Sequence, residues 1–342
     1  MYCSHFNLDK KPFQISSDRG FLWLGSHHGH ALDLLQRGTD QGGAIMVLTG
    51  DIGTGKTTLI NEVIHTLGKD RPCVRIEDPG FELHSLYQKI AQTLGFREPD
   101  PGEKRFSSRF HGFLDQVAKK GQKVLVVVDE SQRIPYRLLR EILSWPKIDS
   151  AGVLSVILAG QLDFLDVLTD CMGRAWTDLV QVHVRLDPLD LNQTRAYIGR
   201  RLAIAGADHT IFTNRAVEEV FGYAKGIPRV INICCDQALI QAFSDDQKRV
   251  DRSVVQGAVA ALELPGAHSA DQKEMPGKQI AGAVPGNEKG PSPLLTRRVN
   301  EAFALLAGLG ICILVGYGIF STLTPRKDPD AIREGKAEHL VM

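Results

Sequence analysis

Between Gly50 and Thr57 the sequence reads GDIGTGKT, an eight-residue stretch with a glycine at each end of its loop and Lys-Thr at its close. Chance would produce the pattern GxxxxGK[ST] on the order of 0.01 times in a chain of this length. A phosphate chain needs several N–H donors at close range, and only small residues let a backbone come that near. The spacing therefore makes Gly50, Asp51, Ile52, Gly53, Thr54, Gly55, Lys56, Thr57 and Thr58 the candidate phosphate-binding set. The Lys56 ammonium is expected to reach the terminal phosphates, and the Thr57 hydroxyl to hold Mg²⁺. Asp129 and Glu130 end the apolar run VLVVV, about 70 residues further on. Two adjacent acids can divide two tasks: Asp129 is expected to hold the hydrated metal, and Glu130 to orient or deprotonate an attacking water. Gln161 closes the run ending LAGQ, where a polar side chain would lie beside the last phosphate if its strand neighbours that of Asp129. Arg229 follows Pro228 at a predicted helix start, where a cation opposes the helix dipole and calls for a phosphate partner. The bland alternatives are a turn former at Gln161 and a surface side chain at Arg229.

These residues need a scaffold, and the flanking patterns supply one. AIMVLT, from Ala44 to Thr49, is a short run of strand formers; the glycine-rich loop follows, then the helical pattern LINEVIHTL. Val124–Val128 and Val153–Ala159, the latter interrupted only by Ser155, are further apolar runs, as expected of central strands covered on both faces. Amphipathic stretches near Leu83–Leu94 and Arg109–Lys119 lie between the strands, so an alternating α/β order and a parallel sheet are predicted, with the acids on a strand neighbouring that of the loop. After about Pro188 the strand signals stop. Gln193–Ala205, Asn214–Ala224 and Pro228–Phe243 read as helices and predict a helical lid.

Composition excludes several classes. Lys plus Arg equal Asp plus Glu at 40 each, so no global field draws the molecule to nucleic acid, which is not expected as a partner. The cysteines show no CxxC pair or metal spacing and read as reduced, buried thiols. The opening MYCSHFNLDKK lacks the basic-then-apolar order of a cleavable signal, which places the bulk of the chain on the cytosolic side as an expectation. Residues 263–296 are rich in Pro, Gly, Ala, Ser and Lys and read as a flexible linker spanning on the order of 30–35 Å. From Ala302 to Pro325 no residue is charged. A helix there would be roughly 36 Å long, enough to cross a hydrocarbon core of about 30 Å.

Together the motifs resemble the general secretion pathway protein A (ExeA-type) family of AAA+ ATPases. The likeness runs over about residues 1–262, through MYCSHFNLDKKPFQI, FLWL, HGHALDLL, LTGDIGTGKTTL, VVVDESQ, LAGQ, LDPL, RRLAIAGA and GIPRVIN. The resemblance implies an ASCE-type core with a helical lid, ATP and Mg²⁺ as cofactors, ATP hydrolysis and self-association into an oligomer. It also implies sensor roles for Gln161 and Arg229, and an N-terminal segment, Pro12 and Phe13 included, that helps cover the adenine. The sequence departs from the family in three places. Leu179 stands where relatives carry the arginine of Ala-Gln-Arg, leaving Arg174 as the candidate trans-acting arginine. Leu162 replaces the proline after LAGQ, and the tail after the apolar segment is short.

The expected organisation is an N-terminal segment (1–40), an α/β core (41–190), a helical lid (191–262), the linker (263–296), a transmembrane helix (302–323) and a short tail (324–342). The function this implies is a bitopic inner-membrane ATPase with a cytoplasmic catalytic domain. It would drive or regulate assembly of a secretion, pilus or polysaccharide export system through a partner protein the sequence does not identify. Two other readings stay open: a nucleotide-gated scaffold with little hydrolysis, and a DNA-acting AAA+ ATPase of transposition or replication.

Overall fold

Three apolar runs become the middle of one sheet. The structure, a computed structural model, describes residues 2–14, 19–68, 71–80, 82–96 and 103–263. All of them fall in a unit spanning Met1–Gln272; a second unit, Lys273–Met342, lies outside the described residues. The chain opens with α1 (Tyr2–His5) and α2 (Ser26–Gln41), then alternates β1 (Ile45–Gly50), α3 (Lys56–Thr66), β2 (Cys73–Ile76), α4 (Leu83–Leu94), α5 (Glu103–Lys119) and β3 (Val124–Val128). It continues through α6 (Tyr136–Ser144), β4 (Leu154–Gly160), α7 (Phe164–Met172), α8 (Trp176–Leu179) and β5 (Val180–Leu186). Four helices close it: α9 (Leu191–Ile204), α10 (Asn214–Ala224), α11 (Pro228–Ser244) and α12 (Arg252–Glu263).

The strand order is β2-β3-β4-β1-β5, and every pairing is parallel. The period-two side-chain alternation of a strand divides the core in two. Ile45 and Val47 of β1, with Val124 and Val126 of β3, face the layer of α4 to α7, where Leu86, Phe106, Phe110 and Trp145 are buried. Met46 and Leu48, with Leu125 and Val127, face α2 and α3 through Leu35, Leu59 and Ile60. Each full burial of such a side chain contributes about 1.5–3 kcal/mol relative to exposure.

The register corrects one expectation. β4 lies between β1 and β3, with Met46 opposite Ile157 and Val126 opposite Val156, so the acids are two strands away from the loop strand. The expected neighbourhood of the Gln161 and Asp129 strands is observed. β2 and β5, the sheet edges, carry no continuous apolar run: β5 alternates, with Gln181, His183 and Arg185 exposed.

The lid helices start where their caps stand. Asp190 and Gln193 form a reciprocal capping box at α9 (2.7 and 2.9 Å), Thr213 caps α10, and Pro228 occupies the first turn of α11. Their core takes in the start of the chain: Tyr2, Phe6, Leu8, Phe13 and Phe21 are buried among Ile198, Phe212, Ile231 and Leu239. The segment expected as one unit, 1–40, is therefore shared, its first part completing the lid and α2 covering the sheet. Among the described residues no helix is long and apolar enough to cross a membrane. The expected span 302–323, the tail, and the linker beyond Glu263 lie outside the described residues.

Candidate nucleotide site

Gly50 closes β1 and Lys56 opens α3, so the intervening loop turns at the carboxyl end of a central strand. Gly53 (φ 84°) and Gly55 (φ 105°) adopt left-handed backbone, which a residue with a Cβ reaches only at a cost. The Lys56 ammonium is buried and donates to the carbonyls of Gly50 (2.8 Å) and Asp51 (3.0 Å). Burial holds its pKa below the ordinary lysine range, while Glu130, Asp129, Asp51 and Asp163 pull it upward. Behind the loop, His28 Nε2 lies 2.9 Å from the Thr54 carbonyl; a carbonyl only accepts, so this nitrogen carries the proton.

The acids meet the loop directly. The Thr57 hydroxyl donates to Asp129 Oδ2 over 2.9 Å, and Asp129 Oδ1 accepts from the Glu130 amide over 3.0 Å. Arg75, on β2, stands 3.7 Å from the same Oδ2 and donates to Asn61 on α3 (2.6 Å). A hydroxyl and a carboxylate converging at this distance suit Mg²⁺, which takes few protein ligands and keeps waters and phosphate oxygens for the rest. Among the described residues there is no cluster of three or more His, Cys, Asp or Glu side chains able to form a cage of their own. Glu130 has φ 51°, a left-handed conformation rare outside glycine and frequent where a functional side chain must be aimed.

Gln132 was not singled out by its sequence context, yet it joins two residues that were. Its amide nitrogen donates to Glu130 Oε2 (2.7 Å), and its carbonyl oxygen accepts from the Gln161 backbone amide (3.2 Å). No local pattern marks such a residue, because its partner at Gln161 comes from another strand.

Above the carboxyl ends of the strands a cavity of about 430 Å³ opens between loop, lid and N-terminal segment. Lys56, Thr57, Thr58, Ile52, Gly53, Thr54, Gly55, Glu130, Gln161 and Arg229 line it. Gly50, Asp51 and Asp129 are not in the lining; Asp129 is buried beneath Thr57. Arg229 is exposed, and its backbone amide donates to the Gly53 carbonyl (3.3 Å). Arg174 is exposed and outside the lining, and Leu179 packs at the edge of the sheet core. The expected cover from Pro12 and Phe13 is displaced. Phe13 is buried against Phe212, and Gln14 and Phe21–Leu24 reach the cavity instead. The described cysteines are free; Cys171, Cys234 and Cys235 are buried as expected, whereas Cys3 and Cys73 are half-buried, and burial raises the Cys73 thiol to about 11 and the Cys234 thiol to about 12.

The five-stranded parallel sheet, the phosphate loop and the helical lid define a P-loop protein of the AAA type, and residues 39–168 match the AAA domain family. General secretion pathway protein A of Aeromonas hydrophila is 31% identical over 271 residues, covering 78% of this chain and 49% of that protein. The chain thus carries an AAA domain and is similar to general secretion pathway protein A, of whose length it spans about half. Solved structures show the same fold at low identity. The Aeropyrum pernix ORC2 protein in ADPNP–ADP complexes has a TM-score of 0.55 and 16% identity, over 74% of this chain and 71% of that one. Drosophila ORC bound to DNA has a TM-score of 0.58 and 20% identity, over 76% and 66%.

Proposed function

We propose that the chain is a Mg²⁺-dependent ATPase whose cycle drives or regulates assembly of an envelope secretion, pilus or polysaccharide export system. One observation carries the chemistry: Lys56, Thr57 and Glu130 line a single cavity, and Asp129 lies buried beneath it, bonded to the Thr57 hydroxyl. In this reading the loop amides and Lys56 bind the phosphates, and Thr57 with Asp129 would hold Mg²⁺, which offsets phosphate charge when bound. Glu130, aimed by its backbone and by Gln132, takes a proton from the attacking water. Gln161 and Arg229 sit at the cavity wall as sensors of the terminal phosphate. The secretion role rests on the relative's name, and attachment to the inner membrane through residues 302–323 rests on their composition.

The test is direct. Lys56→Ala abolishes nucleotide binding, and Glu130→Gln retains binding while turnover is lost; ATPase activity that survives both substitutions refutes the reading. Leu179 favours a second reading, a nucleotide-gated scaffold that hydrolyses slowly. With Leu179 in the expected arginine position, the exposed Arg174 remains to act on the site of a second copy in an oligomer. Steady-state phosphate release from the purified oligomer, with and without Arg174→Ala, separates the two.

A further inference from the structure

Arg201 is buried in α9, and guanidinium groups only donate. Its Nε donates to the Pro12 carbonyl (2.6 Å), Nη2 to the Gln14 carbonyl (3.1 Å), and Nη1 to the Tyr197 hydroxyl (2.7 Å). Having accepted from Arg201, the Tyr197 hydroxyl turns its own proton to Asn232 Oδ1, 2.9 Å away. In this arrangement the Asn232 carbonyl faces Tyr197 and the NH₂ faces the other way. Asn232 lines the cavity, and among the described residues its NH₂ has no hydrogen-bond partner. The side chain is only 7% exposed, so its amide donor is nearly withdrawn from solvent at the cavity wall and calls for an acceptor.

Its location says which part of a ligand supplies that acceptor. Arg229, on the same helix, rests on the phosphate loop through Gly53; Asn232 is three residues further into the lid, about 4.5 Å along the axis. Beside it Trp23 meets Tyr197 edge to face with ring centres 5.8 Å apart, and both rings line the cavity. An aromatic wall with a fixed donor suits a base or a sugar, not a phosphate, whose place is at the loop.

We propose that Asn232 is a nucleoside-recognition residue. Its NH₂ donates to an acceptor atom on the base or ribose, and the Arg201–Tyr197 pair fixes the end of the amide that faces the ligand. The proposal rests on the nucleotide reading of the cavity and names the part of the ligand recognised there. Titration calorimetry of the full chain with Mg²⁺-ADP and with Mg²⁺-tripolyphosphate separates the two claims. Asn232→Ala is expected to weaken ADP by about 5- to 20-fold and to leave tripolyphosphate within about 2-fold. Tyr197→Phe keeps the amide but frees it to turn, and is expected to weaken ADP by a smaller factor, again without effect on tripolyphosphate. Equal losses for both ligands, or no loss for ADP in either variant, overturn the assignment. Absence of ADP binding by the unsubstituted chain overturns the nucleotide reading itself and this inference with it.

Discussion

The side chain of Gln132 donates to Glu130 Oε2 over 2.7 Å, and through its carbonyl oxygen it is anchored to the end of β4 at Gln161. The acid proposed to prepare water is thus held by a neighbour two residues along. That neighbour is itself fixed by the strand between the acids and the loop.

Gln132→Ala should lower kcat by about 10-fold, because Glu130 loses the contact that orients it, while nucleotide affinity stays within about 2-fold. Steady-state kinetics paired with a binding titration gives the split. An unchanged kcat means that the contact is incidental.

Thr57→Val removes the hydroxyl that meets Asp129 at 2.9 Å and keeps the shape of the side chain. Mg²⁺-nucleotide affinity should fall by about 10-fold or more, toward the value measured in EDTA. Titrations with and without Mg²⁺ check this, and a Mg²⁺ dependence equal to that of the unsubstituted chain contradicts the metal assignment.

Gly53→Ala should cost more than Gly68→Ala, although both glycines have positive φ, at 84° and 79°. A Cβ at Gly53 would lie 2.7 Å from Arg229 Cβ, whereas at Gly68 nothing stands within 4 Å. The backbone penalty is about 1 kcal/mol at each site, and the crowding adds to it at Gly53 alone. Urea midpoints of the two variants give the difference.

Arg201→Met leaves the Pro12 and Gln14 carbonyls without their donor and removes the cation lying 4.9 Å over Phe21. A loss of about 2–3 kcal/mol is expected from orphaned buried acceptors. Trypsin should then cut at Lys10, Lys11 or Arg19 well before the rest of the chain opens, which a timed digest followed by mass spectrometry would reveal.

Sequence made the centre of the sheet legible and left its edges obscure. β1, β3 and β4 are buried on both faces and therefore read as apolar runs, broken only by Ser155 in β4; β2 and β5 are half exposed, and Arg75 or His183 breaks their signal. The phosphate loop was readable because close approach to an anion dictates residue types one by one. Gln132 and Asn232 were not, since each acquires its task from partners on other elements. The same holds for Phe6 and Phe13. Their hydrophobicity calls for burial, but only the folded chain shows that helices some two hundred residues later provide it. The expected adenine cover at Pro12 and Phe13 failed for that reason.

Arg229 rests on Gly53 backbone to backbone, amide to carbonyl at 3.3 Å, with no side chain between them. The lid therefore has a foot planted on the strip of chain proposed to wrap the phosphates. Whatever shifts that strip therefore pulls on the first turn of α11 as well, because the two share a hydrogen bond.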